Sequence, residues 1–330
     1  MERIGIIGAG AWGTALAMAL RRAGREVALW ARDPSLAADI DARHENPAYL
    51  PDVALDPGIR ASADPAEAAN CEALLLVVPA QHLREVAGKL APHVPAARPL
   101  VICAKGIEQG TGRLMSEVLA EALPGRPLAV LSGPTFAAEV ARGLPTAVTL
   151  AAADAALGAA LVAALGSRTF RPYLSGDPVG AQIGGAVKNV IAIACGVVAG
   201  RALGDNARAA LITRGLAEVV RLGRAKGART ATLMGLSGLG DLTLTCTSML
   251  SRNYSLGRAL GEGARLEEIL AARRSVAEGV FSAAAVVGLA RRHGAEMPIA
   301  EAVDAILNRG AGIDETVAAL LARPFTAETA

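Results

Sequence analysis

Lysine is scarce in this chain of 330 residues. Only four of its 33 basic residues are lysines, and the other 29 are arginines. Because arginine supplies the ordinary positive charges here, a lysine in an apolar or glycine-rich setting is a candidate for a function of its amine. The 33 basic residues face 31 acidic ones, so neither sign of charge dominates. This balance excludes a protein whose main partner is a nucleic acid or an anionic membrane.

Cysteines are also few. The four, Cys71, Cys103, Cys195 and Cys246, are far apart, and the sequence contains no C-x-x-C and no Cys/His cluster. A disulfide framework and a structural zinc site are therefore excluded, and we expect no metal and a reducing compartment. No uninterrupted apolar run reaches the ~18–20 residues of a membrane span, and no signal-peptide cleavage site follows the N-terminal apolar residues. We expect a cytoplasmic protein without membrane insertion.

Short apolar runs alternate with helical periodicity in the first half of the chain. The predicted strands are 3–7, 26–30, 73–78, 100–104, 129–131 and 147–150, and the predicted helices are 11–23, 81–90, 111–122 and 154–165. Nearly continuous apolar strands suit a parallel sheet that helices cover on both faces. The alternation predicts an α/β domain with a doubly wound, Rossmann-type sheet.

The strand signals end near residue 180. From there the sequence predicts only Ala/Leu/Arg-rich helices, over 180–199, 206–227, 255–262, 265–272, 279–294 and 299–309. Pro178 marks the change, and at ~150 residues per domain the chain length also favours two domains. We expect an α/β domain over 1–179 and an all-helical domain over 180–330.

A glycine motif follows the first predicted strand. Gly8, Gly10 and Gly13 form G-x-G-x-x-G between a strand and a helix, which is the context of a dinucleotide fingerprint. Gly8 permits the tight turn, Gly10 lets the backbone approach a pyrophosphate, and Gly13 lets helix and strand pack closely. The pyrophosphate would lie at the helix N-terminus. A flavin in place of a nicotinamide, or a turn without a ligand, are the alternatives.

The end of the second predicted strand bears on the choice of cofactor. Arg32 could hold the 2′-phosphate of NADP, whereas Asp33 could accept from the 2′-hydroxyl of NAD. Asp33 stands before Pro34, so it could instead start a turn or cap a helix. The sequence favours NADP slightly and leaves use of both cofactors open.

Two further motifs stand at the ends of predicted strands. Lys105 directly follows the run 100–104, and the Gly-Pro-Thr sequence at 133–135 follows the run 129–131. Ligands of open α/β sheets bind outside the carboxyl ends of the strands, so both motifs are candidate ligand contacts. A solvated lysine and an ordinary Gly-Pro turn are the alternatives.

Lys188 is the most informative of the lysines. On a helix its neighbours three and four residues away are Gly184, Gly185, Ile191 and Ala192, which are small or apolar. A poorly solvated ammonium has a lowered pKa, within the range useful for acid–base catalysis. A lysine that extends to solvent is the alternative.

Two polar segments complete the set of candidates. Asp241 stands among glycines, where it could cap a helix or orient a lysine amine or a substrate hydroxyl. Ser251, Arg252 and Asn253 offer a hydroxyl, a guanidinium and an amide in succession, a combination that suits a phosphate. Solvated surface is the alternative for these three.

Taken together, the motifs resemble one family over almost the whole chain, the bacterial NAD(P)-dependent sn-glycerol-3-phosphate dehydrogenases. The matching segments are GAGAWGTALA (8–17), CAKGIE (103–108), LSGPTFAAEVARGLPTA (131–147), GGAVKNVIAIACG (184–196), ITRGLAE (212–218), GLGDLTLTCTS (238–248), SRN (251–253) and VAEG (276–279). The neighbouring 3-hydroxyacid and 6-phosphogluconate dehydrogenases place an asparagine one turn after their lysine. Here Asn189 is adjacent to Lys188 and Ala192 is one turn on, which counts against the neighbours.

The resemblance implies a fold and a set of site residues. It implies a dinucleotide-binding Rossmann domain and a helical, substrate-binding domain like the C-terminal domain of 6-phosphogluconate dehydrogenase. The implied catalytic residues are Lys188, Lys105 and Asp241. The implied substrate-binding residues are these three with Gly133, Thr135, Ser251, Arg252 and Asn253. The implied cofactor-binding residues are Gly8, Gly10, Ala11, Trp12, Gly13, Arg32, Tyr49, Lys105, Ala137, Arg252, Val276 and Glu278. Ala11 replaces a serine of many relatives, so a side-chain hydrogen bond is lost there.

The resemblance also implies the reaction. NAD(P)H would reduce dihydroxyacetone phosphate to sn-glycerol 3-phosphate, a precursor of phospholipids. Arg252 and Asn253 would hold the phosphate, Lys188 would give a proton to the developing alkoxide, and Lys105 would stabilise its charge. A phosphorylated small molecule is therefore the expected substrate, with no nucleic acid involved, and a homodimer is the expected assembly.

Overall fold

An eight-stranded sheet forms the framework of the first half of the chain. In the computed structural model, which describes residues 1–272 and 277–325, the sheet order is β3-β2-β1-β4-β5-β6-β7-β8. The strands are β1 Arg3–Ile7, β2 Glu26–Trp30, β3 Ile59–Ser62, β4 Ala73–Leu76, β5 Leu100–Ile102, β6 Leu128–Ser132, β7 Thr146–Ala152 and β8 Phe170–Ser175. The order reverses beside β1, as it does in a doubly wound sheet. The predicted Rossmann-type class is confirmed.

Seven α-helices accompany the strands, together with a π-helix at Asp39–Arg43 and a 3-10 helix at Ala80–His82. The α-helices are α1 Ala11–Arg22, α2 Pro34–Ala38, α3 Pro65–Ala69, α4 Leu83–Leu90, α5 Met115–Ala122, α6 Ala137–Ala141 and α7 Ala155–Leu165. An aspartate begins three of them: the carboxylates of Asp33, Asp64 and Asp154 accept from the first backbone N–H groups of α2, α3 and α7. Two apolar clusters, one on each face of the sheet, hold the strands and helices together.

The sheet differs from the sequence prediction in the direction of one strand and in its two edge strands. Strand β7 runs antiparallel to β6, where a parallel sheet was predicted. An apolar run does not encode the direction of its strand, because it buries the same surface either way. The edge strands β3 and β8 were not predicted at all. Each carries polar residues or proline, since an edge strand has only one neighbour and is partly exposed.

Helices build the second half of the described chain. They are α8 Pro178–Gly200, α9 Asp205–Ala225, α10 Thr230–Leu233, α11 Asp241–Thr247, α12 Arg252–Gly261, α13 Leu266–Ala271, α14 Glu278–Arg292, α15 Pro298–Asn308 and α16 Ile313–Leu321. The helical class of this half is confirmed. The sequence did not predict α10, α11 and α16. The boundary predicted after residue 179 falls within the first turn of α8, two residues beyond its cap Asp177.

Helix α8 is the centre of the helical half. Its 23 residues are long and apolar enough to cross a membrane by length and composition, but most of them are buried within the protein. Glycines bring α12 very close: a Cβ on Gly196 would lie 2.1 Å from the carbonyl oxygen of Tyr254, and one on Gly257 would lie 2.0 Å from that of Ile193. This close approach sets the first turn of α12 beside the middle of α8.

A short hairpin joins the two halves. Residues 107–114 close an antiparallel bridge between Ile107 and Leu114, so the helix predicted over 111–122 begins only at Met115 as α5. The side chains of Ile107 and Leu114 are buried in the hydrophobic cluster of the helical half. The hairpin directly follows Lys105 and therefore ties the end of β5 to the helical half.

Candidate active site

The glycine motif forms the turn between β1 and α1. Gly8 has a φ of +117°, a left-handed conformation that side chains rarely adopt, and a Cβ there would lie 2.9 Å from the carbonyl oxygen of Val77. A Cβ on Gly13 would lie 1.8 Å from the carbonyl oxygen of Gly8, so helix and strand meet at a glycine. At Gly10 a Cβ would meet nothing within 4 Å. The motif thus shapes a tight turn with open space beside Gly10.

The turn fits the pyrophosphate of a dinucleotide. Helix α1 begins at Ala11 without a side-chain cap, so its first backbone N–H groups are available to an anion. The indole N–H of Trp12 is buried and has no hydrogen-bond partner among the described residues. Open space at Gly10, unused backbone donors and an orphaned indole N–H together suit a bound phosphate group.

Arg32 and Asp33 at the end of β2 have different surroundings. Asp33 accepts from the backbone N–H and the hydroxyl of Ser35 and caps α2, and these hydrogen bonds lower the pKa of its carboxyl. Arg32 is exposed at the carboxyl end of the strand. Tyr49, in the segment that follows, is 44% exposed. Both side chains are exposed, and of the two alternatives for the cofactor ribose Asp33 is the one that hydrogen bonds to Ser35 already engage.

Lys105 extends from the end of β5 toward the helical half. Its ammonium donates to the carbonyl oxygen of Gly133 at 2.9 Å and to Oδ2 of Asp241 at 2.8 Å. Gly133, at the end of β6, has a φ of +154°, and a Cβ there would lie 2.9 Å from Cα of Val148. The same carbonyl accepts from the hydroxyl of Thr135 at 3.3 Å. The two predicted strand-end motifs therefore meet at one point.

Lys188 reaches the same carboxylate from α8. Its ammonium donates to Oδ1 of Asp241 and, at 3.1 Å, to the hydroxyl of Thr245. Asp241 is fully buried, and Lys188 is 6% exposed. A Cβ on Gly184 would lie 2.4 Å from the carbonyl oxygen of Ser237, so the segment before α11 approaches α8 closely only at glycine. The small face predicted around Lys188 is what brings the carboxylate to it.

The electrostatics of this cluster make the ammonium of Lys188 easier to deprotonate than an ordinary lysine. Burial lowers the pKa of its ammonium to about 8, and the positive charge of Lys105 acts in the same direction. Asp241 opposes both effects. An amine with a pKa near 8 takes and gives up a proton near neutral pH, which an arginine does not do. The cluster can thus carry out acid–base chemistry.

A chain of amides runs beside the lysines. Asn189 donates at 3.4 Å to the carbonyl oxygen of Lys105, and its Oδ1 accepts from Nδ2 of Asn253 at 2.9 Å. Oδ1 of Asn253 accepts in turn from the backbone N–H of Gly279 at 3.0 Å. These bonds connect β5, α8, α12 and α14. They leave Asn253 one N–H for a ligand, because a carboxamide carries two.

The remaining predicted residues surround the first turn of α12. The hydroxyl of Ser251 accepts from the backbone N–H of Tyr254 and caps this helix, whose first residue is the exposed Arg252. Glu278 lies half-buried at the start of α14. Burial raises the pKa of Glu278, while Arg252 and the two lysines oppose that rise.

The structure groups the predicted site residues at one edge of the sheet. Ala137 begins α6 directly after the 133–135 motif. Val276 lies outside the described residues.

Thr245, which accepts from Lys188, was not predicted as a site residue. A threonine inside a helix gives little indication of a function, and its position one turn after Asp241 is the clue that the sequence offers. Within the described part of the chain, no three histidine, cysteine, aspartate or glutamate side chains converge on a possible metal position.

Fold and site together define a class. They describe a two-domain, dinucleotide-binding protein with a buried lysine–carboxylate–lysine cluster at the carboxyl edge of its sheet. Two family models match the chain, the N-terminus of NAD-dependent glycerol-3-phosphate dehydrogenase over residues 3–158 and its C-terminus over residues 177–318. The chain belongs to the NAD-dependent glycerol-3-phosphate dehydrogenase family.

Curated relatives and a solved structure agree with this family. Glycerol-3-phosphate dehydrogenase, NAD(P)+, of Parvibaculum lavamentivorans is 62% identical over 99% of this chain and 98% of its own length. The protein of the same name from Rhodospirillum rubrum is 63% identical over 99% of this chain and 94% of its own. The crystal structure of glycerol-3-phosphate dehydrogenase from Coxiella burnetii superposes with a TM-score of 0.94, at 40% identity and with 98% of this chain and 99% of that one covered.

Proposed function

We propose that the chain is an oxidoreductase that interconverts dihydroxyacetone phosphate and sn-glycerol 3-phosphate with NAD(P)H. The observation that carries this proposal is the buried contact of Lys188 and Lys105 with the two oxygens of Asp241, at the strand end next but one to the glycine turn. Strands in a sheet are ~4.8 Å apart, so the turn after β1 and the lysine after β5 are separated by about 10 Å. The length of a dinucleotide spans that distance.

The residues of the cluster divide the chemistry. When bound, the nicotinamide supplies a hydride, so that the C2 carbonyl gains two electrons and one hydrogen and its oxygen takes up a proton. Lys188 donates that proton, and Lys105 stabilises the negative charge that develops on the oxygen. Asp241 holds both ammonium groups in place. Thr245 accepts from Lys188 and so fixes the direction of the amine. In the oxidation, Lys188 takes the proton back.

The first turn of α12 suits the phosphate of the substrate. Arg252 and Asn253 are its first two residues, and the N-terminus of a ten-residue helix attracts an anion. The amide chain through Asn189 holds this turn at the lysines. Gly133 and Thr135 are proposed to contact the same substrate, since the carbonyl of Gly133 already binds Lys105.

For the cofactor we propose NADP or NAD, with NADP slightly favoured. Gly8, Gly10, Ala11 and Gly13 would hold the pyrophosphate, and Trp12, Tyr49, Ala137, Val276 and Glu278 would line the rest of the cofactor. The NADP preference rests on Arg32, because Asp33 is already engaged by Ser35 as a helix cap. Ala11 offers no hydroxyl where many relatives have serine, so binding relies on the backbone there.

The test is the loss of absorbance at 340 nm when purified protein is mixed with dihydroxyacetone phosphate and NADPH, and then NADH. We expect turnover, and we expect Lys188→Ala to lower kcat by about 10²–10⁴-fold, the usual contribution of acid–base catalysis. Lys89→Ala is the matched control, because Lys89 is an exposed surface lysine paired with Glu85. A Lys188→Ala protein with kcat within a few-fold of wild type would contradict the proposed role.

We further propose a cytoplasmic enzyme that works as a homodimer and supplies glycerol phosphate for phospholipid synthesis. Light scattering on the protein as it elutes from a size-exclusion column measures the molar mass of the assembly. A monomer at micromolar concentration would contradict the proposed homodimer.

The proposed role in phospholipid synthesis is tested in cells. A cell depleted of the protein should regain phospholipid synthesis when glycerol 3-phosphate is added to the medium.

A further inference from the structure

A buried asparagine outside every motif ties the glycine turn to the segment after α2. Asn46 is 1% exposed. Its Nδ2 donates to the carbonyl oxygen of Ala9 at 2.9 Å and to the hydroxyl of Thr14 at 2.8 Å. Its Oδ1 accepts from the backbone N–H of Tyr49 at 3.1 Å. Ala9 lies between the first two glycines of the motif, so one side chain joins the turn to a residue predicted to line the cofactor.

Only a carboxamide fits these contacts. Two acceptors face one end of the Asn46 side chain and a donor faces the other, and a carboxamide has N–H groups and a carbonyl oxygen at its two ends. A carboxylate would set an oxygen against the carbonyl of Ala9, and an alanine would leave that buried carbonyl and the N–H of Tyr49 without these partners. The side chain is therefore specified by its partners.

The hydrogen bond from Asn46 to the carbonyl oxygen of Ala9 sets the direction of the next backbone donor, the N–H of Gly10. The carbonyl of Ala9 and the N–H of Gly10 belong to one planar trans peptide, so they point in opposite directions. Holding the carbonyl toward Asn46 turns the Gly10 N–H away from it. That N–H belongs to the turn that is open beside Gly10. Asn46 thereby orients a backbone donor that it does not itself touch.

The other end of Asn46 holds the turn that carries Tyr49. The backbone N–H of Leu50 donates to the carbonyl of Asn46 at 2.9 Å, and the side chain of Leu50 is buried. Tyr49, between these two anchors, is 44% exposed. The position of its ring relative to the glycine turn therefore depends on Asn46.

We propose that Asn46 is a positioning residue for the pyrophosphate part of the cofactor site. This inference rests on the proposed function, since it assumes that a dinucleotide binds at the glycine turn. Asn46 acts through the peptide between Ala9 and Gly10 and through the 46–50 turn. It contributes to cofactor affinity and leaves the affinity for the substrate unchanged.

The experiment measures binding without turnover. Isothermal titration calorimetry gives the Kd of NADPH, of NADH and of 2′-AMP, which has the adenosine end but no pyrophosphate. For Asn46→Ala we expect the Kd of the dinucleotides to rise about tenfold, from the loss of buried hydrogen bonds. The Kd of 2′-AMP and the KM of dihydroxyacetone phosphate stay within twofold of wild type. Asn308→Ala, an exposed asparagine bonded to Asp304, is the control.

The outcomes separate the two proposals. If wild type binds neither dinucleotide, the proposed function fails. If wild type binds and a folded Asn46→Ala protein has the same Kd, or has lost affinity for 2′-AMP equally, the positioning role is overturned. Should Asn46→Ala not fold, Asn46→Ser keeps a hydroxyl in the buried position but is too short to reach both Ala9 and Tyr49. A Kd raised a few-fold for the dinucleotides alone then supports the proposal, and an unchanged Kd overturns it.

Discussion

Lys105 and Lys188 donate to opposite oxygens of a single carboxylate, that of Asp241. One lysine comes from the end of a strand in the first half of the chain, and the other comes from the middle of the long helix in the second half. A buried carboxylate between them offsets one of two positive charges, so the cluster keeps an excess of positive charge. That excess suits a site in which negative charge develops on an oxygen.

Replacing this carboxylate by an amide should remove both stability and activity. Asp241→Asn leaves two ammonium groups near each other without a counter-charge, and breaking a buried pair costs about 3–5 kcal/mol. We expect the urea-unfolding free energy to fall by that order and kcat by at least about 10²-fold. The control is Asp314→Asn, an exposed partner of Arg201 worth less than about 1 kcal/mol. Equal effects of the two variants would contradict the central role of Asp241.

The two directions of the reaction should depend on pH in opposite ways. With burial lowering the pKa of Lys188 to about 8, the ammonium form needed for reduction is lost above that pH, and the amine form needed for oxidation is gained. We expect kcat for reduction to fall about tenfold per pH unit above ~8.5 and kcat for oxidation to rise up to ~8. Initial rates at saturating substrates from pH 6 to 10 measure both. A reduction rate that is level to pH 10 would exclude Lys188 as the donor.

Stability should respond to pH through Glu218. This carboxylate of α9 is buried and accepts from the backbone N–H groups of Ile299 and Ala300, and burial raises its pKa to about 7. The folded state then holds a proton between pH ~4.5 and ~7 that the unfolded state does not, so stability falls as pH rises through that range. We expect wild type to lose up to about 3 kcal/mol against Glu218→Gln from pH 5 to 7. If wild type and Glu218→Gln differ in unfolding free energy by the same amount at pH 5 and at pH 7, the prediction is wrong.

Two glycine-to-alanine variants should change the stability of the protein in opposite directions. At Gly257 a Cβ would lie 2.0 Å from the carbonyl oxygen of Ile193, so α12 must move away from α8, whereas at Gly288 nothing lies within 4 Å. We expect Gly257→Ala to destabilise by several kcal/mol and to raise the KM of the substrate, because Arg252 and Asn253 move with the helix. Gly288→Ala should stabilise by about 0.5–1 kcal/mol through helix propensity. Thermal unfolding and steady-state kinetics of both variants decide this.

Cofactor preference should depend on Arg32. The guanidinium is exposed at the end of β2, where it can bind a 2′-phosphate in a bidentate manner. We expect Arg32→Gln to raise the KM of NADPH about tenfold and to leave the KM of NADH within about twofold. Steady-state assays with each cofactor measure the ratio. If the two KM values change together, Arg32 does not select the 2′-phosphate.

Local patterns predicted much of the fold correctly. The apolar strands β1, β2, β4, β5 and β6 and the long helices of the second half are determined by the composition and period of their own residues. The edge strands β3 and β8, the direction of β7 and the hairpin 107–114 were missed or wrong. Each of these depends on a neighbour in space, and a sequence pattern does not show which neighbour a segment will meet.

The same distinction applies to the candidate site, where some residues have a sequence signal and others are revealed only by the folded structure. The glycine motif, Lys105 and Lys188 stand out in the sequence, because glycine and lysine in those settings have few other uses. Asn46 and Thr245 carry no such signal, and only their hydrogen bonds in the folded chain reveal them.

By itself the sequence determined the α/β-then-helical order and the glycine turn of a dinucleotide-binding domain, and it singled out two of its four lysines as candidates for catalysis. These follow from interactions between residues close in the chain. Only the tertiary structure decided that Lys105 and Lys188 share Asp241, that Asp33 caps a helix beside an open Arg32, and that Asn46 holds the glycine turn. The cap at Asp33 is local, but the other contacts join residues that are 37 to 136 positions apart in the chain. The physical reason is that burial in a common core brings such distant residues together.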